Sequence, residues 1–163
     1  MFFLKNTERS GPGAGRNKGI ENSFNKYLFF LDADDEFSSP DVLEKLYNTA
    51  EQYKSEVVLV NRTAGGKRIH AQDVFCTREY LNNNNIRYGN FFVHEDLMFM
   101  LQLESLGGRV IKVGYNGIMY HGEYNQNISH TIPTKVKAWN KLFCTYNFTK
   151  IMKEKNLYTG LIG

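Results

Sequence analysis

Two cysteines, three prolines and one tryptophan are all that the 163 residues contain of each type, and no apolar run approaches the ~18 residues needed to cross a bilayer. Cys76 and Cys144 have no metal-ligand spacing around them, which predicts two buried, reduced thiols rather than a metal site. The opening Met1-Phe2-Phe3-Leu4-Lys5 holds too few apolar side chains for a signal peptide. These absences favour a cytoplasmic setting over secretion, so sequons such as Asn61-Arg62-Thr63 carry little weight. A dominant charge is missing as well. Twenty Lys and Arg against 17 Asp and Glu leave a formal net charge of +3, too balanced to argue for a nucleic-acid partner.

What the chain does have is local concentration of charge. The apolar run Tyr27-Leu28-Phe29-Phe30-Leu31 ends abruptly in Asp32-Ala33-Asp34-Asp35-Glu36. That pattern predicts a buried strand delivering carboxylates to one edge of a sheet, where mutual repulsion calls for a compensating cation. A divalent metal is the economical candidate. A second acidic spot, Glu95-Asp96, stands before an apolar stretch, whereas the segment from Lys135 to Lys155 is basic.

At 42% hydrophobic the chain suits a single domain over residues 1–163 with a real core. Ser10-Gly11-Pro12-Gly13-Ala14-Gly15 reads as a loop from its glycine and proline density, followed by a helix from about Arg16 to Lys26. After strand Tyr27–Leu31, Ser39 as N-cap and Pro40 at the first helical position open a helix with Leu43, Leu46, Tyr47 and Ala50 at helical spacing. Val57-Val58-Leu59-Val60 then reads as a buried strand. This alternation predicts an α/β layer with parallel pairing, with ligands gathering at the carboxyl ends of the strands. Farther on, a short helix spans Arg78–Asn85 and another Asp96–Leu106, stopped by Gly107-Gly108. Two short strands follow at Arg109–Val113 and Ile118–Tyr120. Pro133 precedes a final amphipathic helix with Val136, Trp139, Phe143 and Tyr146 on one face, expected to lie in the core with its basic side solvated. Contact of that basic side with anionic lipid is the rarer use of such a face.

The acidic run alone leaves several readings open. A phosphatase of the haloacid dehalogenase type wants Thr or Val two places after its second Asp, where this chain has Glu36. A calcium loop needs Gly six places in and Glu at twelve, where this chain has Phe37 and Leu43. A solvated acidic turn before a helix remains an alternative, as capping does for Glu95-Asp96.

The flanking motifs come in a telling order. Gly11-Pro12-Gly13-Ala14-Gly15-Arg16-Asn17-Lys18-Gly19, then Leu31-Asp32-Ala33-Asp34-Asp35, then Ser39-Pro40-Asp41, resemble the family-2 glycosyltransferases of GT-A fold, with Gly15 in place of the usual Ala. His94-Glu95-Asp96-Leu97 is similar to the family's acceptor-side segment, and Tyr120-His121 with Ile128-Ser129-His130 to its terminal segment. The resemblance runs from about Ser10 to Thr131. It implies a partial GT-A, Rossmann-like mixed and mainly parallel sheet flanked by helices. Residues 1–62 would form the donor and metal side, 63–131 the acceptor side, and 132–163 the C-terminal helix.

The resemblance also implies roles. A nucleotide-sugar donor, a UDP-sugar first, would release a diphosphate whose charge a bound Mn or Mg stabilises, and oxygen donors suit those ions. Asp34 is the first choice of metal ligand, with Asp35, and His121 is a further ligand or phosphate contact. Arg16, Asn17, Asp32 and Asp34 would meet the donor. Asp96 would be the base that deprotonates an acceptor hydroxyl in an inverting transfer, with Glu95 orienting or touching the acceptor. The acceptor would be a glycan or lipid-linked chain in bacterial surface polysaccharide synthesis, with the protein in the cytoplasm or peripheral at the inner face of the membrane.

The resemblance breaks at the beginning of the chain. Family members open with strand, helix and strand units that hold the nucleotide base, and only nine residues precede Ser10. The expectation is therefore a chain lacking its N-terminal nucleotide-binding segment, with sheet edges able to pair with a second copy. Transfer would need base recognition supplied by another segment. A catalytically inactive remnant or interaction module is the alternative, and a metal-dependent phosphatase the weakest.

Overall fold

A computed structural model describes residues 4, 11–62, 73–91, 93–119 and 131–157. Its elements in chain order are α1 (Gly11–Glu21), β1 (Tyr27–Phe29), β2 (Glu36–Phe37), α2 (Val42–Tyr53), β3 (Val57–Arg62) and β4 (Val74–Thr77). They continue with α3 (Arg78–Asn83), α4 (Glu95–Ser105), β5 (Val110–Met119) and α5 (Thr134–Glu154).

The strands form one mixed sheet in the order β1-β4-β3-β5-β2, flanked by helices, as an α/β reading predicts. The balance of directions is not the expected one. Among the described residues only β3 and β5 pair in parallel, while β1–β4, β3–β4 and β2–β5 are antiparallel. The cause is β4, a four-residue strand inserted between β1 and β3. Two antiparallel steps leave β1 and β3 running the same way, so their carboxyl ends still share one edge with that of β5. The sheet curls there: Phe29 of β1 and Phe37 of β2 meet with ring centroids 5.2 Å apart, although their strands are at opposite ends of the strand order.

Alternation along the strands explains why both faces are covered. Val57 and Leu59 join Val74 and Cys76 beneath Ile20, Leu81, Ile86, Phe99 and Leu103 of the α1, α3 and α4 side. Val58, Val60 and Phe75 face the other way, against Val42, Leu46 and Ala50 of α2. Those three recur every fourth residue, which keeps them on one stripe of the helix. Burial pushes the Cys76 thiol up to about 12, and burial together with Asp96 pushes that of Cys144 up to about 11. Both cysteines are buried and unbridged, as their spacing predicts.

Further sequence expectations need correction: α1 ends at Glu21 rather than Lys26, β1 is half-buried and ends at Phe29 rather than running buried to Leu31, and Leu43 and Tyr47 of α2 are exposed. The glycine-rich segment is the first half of α1 rather than a loop. Tertiary contact overrides its poor helix propensity: a Cβ on Gly13 would sit 2.4 Å from the carbonyl oxygen of Gly89 and 3.1 Å from the Glu95 side chain, so only glycine allows this approach. The two short strands expected at Arg109–Val113 and Ile118–Tyr120 are one ten-residue β5, with its register against β3 shifting beside Asn61. Finally, the aromatic face of α5 is not core. Trp139, Phe143 and Tyr146 are exposed, and Cys144, a different side of the helix, is the buried position.

Candidate functional site

The site is built from three elements that converge at the curled end of the sheet. The chain leaves β1 at Phe29 and turns through Asp32–Asp35, closed by a hydrogen bond from the Asp35 amide to the Asp32 carbonyl at 3.1 Å. The turn sorts its carboxylates by exposure. Asp34 is exposed, Asp32 is partly buried and Asp35 is 8% exposed.

The second acidic pair arrives on α4. His94, directly before the helix, adopts a left-handed backbone conformation with φ 67°, uncommon for a residue with a side chain, and makes no capping bond with its own side chain. Glu95 points inward at 8% exposure, while the Asp96 Oδ1 accepts from the Leu97 amide at 2.8 Å. Asp96 thus satisfies one orphan donor of the first turn. Glu95 does something else.

Arg16, one turn into α1, joins the two acidic motifs. Its Nη1 donates to Glu95 Oε1 at 2.8 Å and its Nη2 to Asp32 Oδ1 at 2.9 Å, with its side chain 13% exposed. The guanidinium also lies over the Tyr88 ring, 5.2 Å from its centroid. Burial works against the charge of Arg16, but the hydrogen bond and charge of Asp32, then Tyr88 and Glu95, hold its pKa above the ordinary arginine value. Glu95 shows the opposite pull. Burial and the neighbouring charge of Asp96 raise its pKa, and its own backbone amide and Arg16 only partly offset them.

Asn17 fixes the floor of this arrangement. Its Nδ2 donates to the Tyr88 carbonyl at 3.0 Å and its Oδ1 accepts from the Tyr88 amide at 2.9 Å, tying α1 to the segment ahead of α4. Tyr88 is 3% exposed and stacks on Phe99 with centroids 4.1 Å apart. Its buried hydroxyl has no hydrogen-bond partner among the described residues. The structure thus brings together Arg16, Asn17, Asp32 and Glu95, with Asp34, Asp35 and Asp96 on the same turns. His121 lies outside the described residues.

Sequence reasoning gave no individual role to Gly13, Tyr88 or His94, although each lies in a segment that resembles the family. Gly13 had a signal in its stretch of glycines, although that stretch reads equally as a loop. Tyr88 had only its place in Asn85-Ile86-Arg87-Tyr88, a segment similar to the family's acceptor side, and an aromatic there does not disclose which cation sits on its face.

Among the described residues no group of three or more His, Cys, Asp or Glu side chains is arranged around a metal position. The donor set at the turn nonetheless fits a hard divalent cation: Asp34 and Asp35 offer only carboxylate oxygens, and Mg²⁺ is usually held by one or two carboxylates with water and phosphate oxygens completing its shell. A cavity of about 520 Å³ lies at the opposite end of the sheet, lined by Lys26, Glu51, Lys54, Thr77 and Gly108 among others. It has no part in this carboxylate cluster, and its wall is braced by the Lys26–Glu51 ion pair.

The model of the family described as "Glycosyl transferase family 2" matches residues 1–156. The chain belongs to that family. No curated protein matches it significantly. Among solved structures, S. aureus TarS 1-349 in complex with UDP-GlcNAc is similar with a TM-score of 0.68 and 14% identity, over 94% of this chain and 49% of that one. S. aureus TarS 1-349 in complex with UDP gives 0.60 and 16%, over 68% and 40%. Another S. aureus TarS structure gives 0.59 and 16%, over 69% of this chain and 25% of that one. The family-2 chain therefore spans half or less of the structures whose fold it shares.

Proposed function

We propose that this family-2 chain transfers a glycosyl group from a nucleotide-diphosphate sugar, a UDP-sugar first, to an acceptor hydroxyl. The observation that carries the reading is the Arg16 bridge, which ties the Asp32 turn to Glu95 and so holds a cation-seeking carboxylate turn beside a second acidic pair. A shared fold with TarS, crystallised with UDP and with UDP-GlcNAc, supports the choice of donor.

In this reading Asp34, exposed on its turn, is the principal ligand of a Mn or Mg ion, with Asp35 beside it. When bound, that ion neutralises the charge developing on the diphosphate leaving group. Asp32 and Arg16 border the donor, and Asn17 holds α1 in register behind them. Asp96 removes the proton of the acceptor hydroxyl as it attacks the anomeric carbon from the face opposite the leaving group. Glu95, anchored by Arg16, contacts the acceptor and keeps the first turn of α4 oriented. His121 extends the metal or phosphate contacts. The acceptor we favour is a glycan or lipid-linked chain of a bacterial surface polysaccharide.

Calorimetry with Mn and a panel of nucleotide-sugars tests the donor half. Binding of a UDP-sugar that requires Mn and is lost in Asp34→Asn is expected. Absence of binding for every donor would leave an interaction module as the better account.

A further inference from the structure

Helix α5 turns a broad aromatic face to solvent. This 21-residue helix packs on α4 through one side, where Cys144 is fully buried. At 100° per residue the opposite side carries Lys135, Trp139, Leu142, Phe143, Tyr146, Lys150 and Lys153. Exposure there is high for such large side chains: 73% for Trp139, 66% for Leu142, 65% for Tyr146 and 55% for Phe143. An apolar centre of two turns is thus flanked along the helix axis by lysine at both ends.

We infer that this face of α5 docks on an anionic lipid surface. Trp and Tyr suit the boundary between headgroups and acyl chains, since each has an apolar ring and a polar atom. Lysines at both ends bring their ammonium groups to phosphate while their stems lie along the apolar centre. The helix contains five lysines against a single acidic residue, Glu154 at its end, so the field over the face is positive. Charge also argues against a second copy as the occupant. Two such helices laid antiparallel would set Lys135 of one against Lys150 and Lys153 of the other, and a parallel pair would match like with like. No helix among the described residues is long and apolar enough to cross a membrane, so the contact is a surface one. Residues of α4 would then stand about one helix diameter from the lipid, on the order of 10 Å.

Trp139 is the only tryptophan, so its emission reports on this face alone. The unmodified chain is titrated with vesicles of phosphatidylcholine containing one-third phosphatidylglycerol, and with pure phosphatidylcholine. A blue shift and quenching by brominated acyl chains are expected with the anionic vesicles only, reversed by high salt. Lys135→Gln with Lys153→Gln should weaken partitioning roughly 25-fold, about fivefold for each lysine removed. Leu142→Glu should abolish it, with circular dichroism unchanged because the position is exposed. An unmoved emission spectrum, or equal shifts with neutral vesicles, would overturn the inference. So would a blue shift that follows protein concentration without lipid, with a doubled mass in sedimentation, which would give the face to a second copy. None of these readouts depends on glycosyl transfer.

Discussion

The turn after β1 and the first turn of α4 each set carboxylates side by side, and they manage the repulsion differently. At the β1 turn it is shared with solvent, because Asp34 is exposed even though Asp35 is 8% exposed. At α4 the repulsion is kept inside the protein: burial and the charge of Asp96 raise the pKa of Glu95, and Arg16 is what holds it in place. One guanidinium serves both, reaching Asp32 and Glu95 with two different nitrogens. A turn with a solvated carboxylate suits a ligand that arrives and leaves, whereas a buried, paired carboxylate suits a fixed geometry. Arg16 couples the exchanging half to the rigid half.

The largest expected effect separates the two halves by function. Asp96→Asn should cost 10²-fold or more in transfer while leaving donor binding intact, whereas Asp34→Asn should lose donor binding itself. Calorimetry and a transfer assay on both variants check this, and equal loss of both properties in Asp96→Asn would remove it from the base role. Next comes the link between the halves. Arg16→Met should destabilise by about 2 kcal/mol, less than the roughly 3–5 kcal/mol of a fully buried pair because Asp32 is partly exposed. Urea unfolding reads it, and a loss below about 0.5 kcal/mol would mean that Arg16 does not bridge the motifs.

Gly13→Ala probes the same coupling sterically. The added methyl would meet the Gly89 carbonyl oxygen at 2.4 Å, so α1 must retreat from Glu95. Against an overpacking cost of ~1–3 kcal/mol stands a helix-propensity gain of ~1 kcal/mol. A net loss of about 1 kcal/mol with impaired transfer is expected. Smaller again is a pH effect. Because the native pKa of Glu95 lies above its unfolded value of about 4.3, its contribution to stability is fully present below that pH and is lost as pH rises through the native value. Urea midpoints of wild type and Glu95→Gln from pH 4 to pH 7 should therefore diverge in favour of the variant as pH rises. A constant difference would contradict the raised pKa. Least affected should be Tyr88→Phe. Its hydroxyl is buried without a described partner, so its removal should change stability by less than about 1 kcal/mol, in either direction.

Much of the scaffold was legible in advance. The existence of helix α2 follows from its apolar spacing, and β3 from its unbroken Val57–Val60, because both obey periodicities that local sequence carries, although the buried stripe of α2 is Val42, Leu46 and Ala50, with Leu43 and Tyr47 exposed. Its boundary was less exact: α2 begins at Val42 with Asp41 at the N-cap, two residues beyond the expected start at Pro40. Strand β4 escaped notice because four residues, Val74–Thr77, are too short to show a period, yet they reverse the balance of the sheet. For the site, both acidic motifs stood out as charge beside apolar runs, Asp32–Glu36 after one and Glu95-Asp96 before one. Their connection through Arg16, 79 positions from Glu95, did not.

Sequence alone determined that carboxylates would follow the first strand and precede a helix, and that the chain is similar to family-2 glycosyltransferases, since motif order and hydrophobic period are properties of the linear chain; that the strand is half-buried at a sheet edge rather than buried was left to the fold. Only the tertiary structure decided which of those carboxylates is clamped and which is open, that a run of glycines is a helix rather than a loop, and that the aromatics of α5 face outward. Each depends on what lies against a side chain from elsewhere in the molecule: the Gly89 carbonyl against Gly13, the Arg16 guanidinium between Asp32 and Glu95, and α4 against the Cys144 side of α5. An amphipathic period says that a helix has two faces, and packing chooses which one is buried.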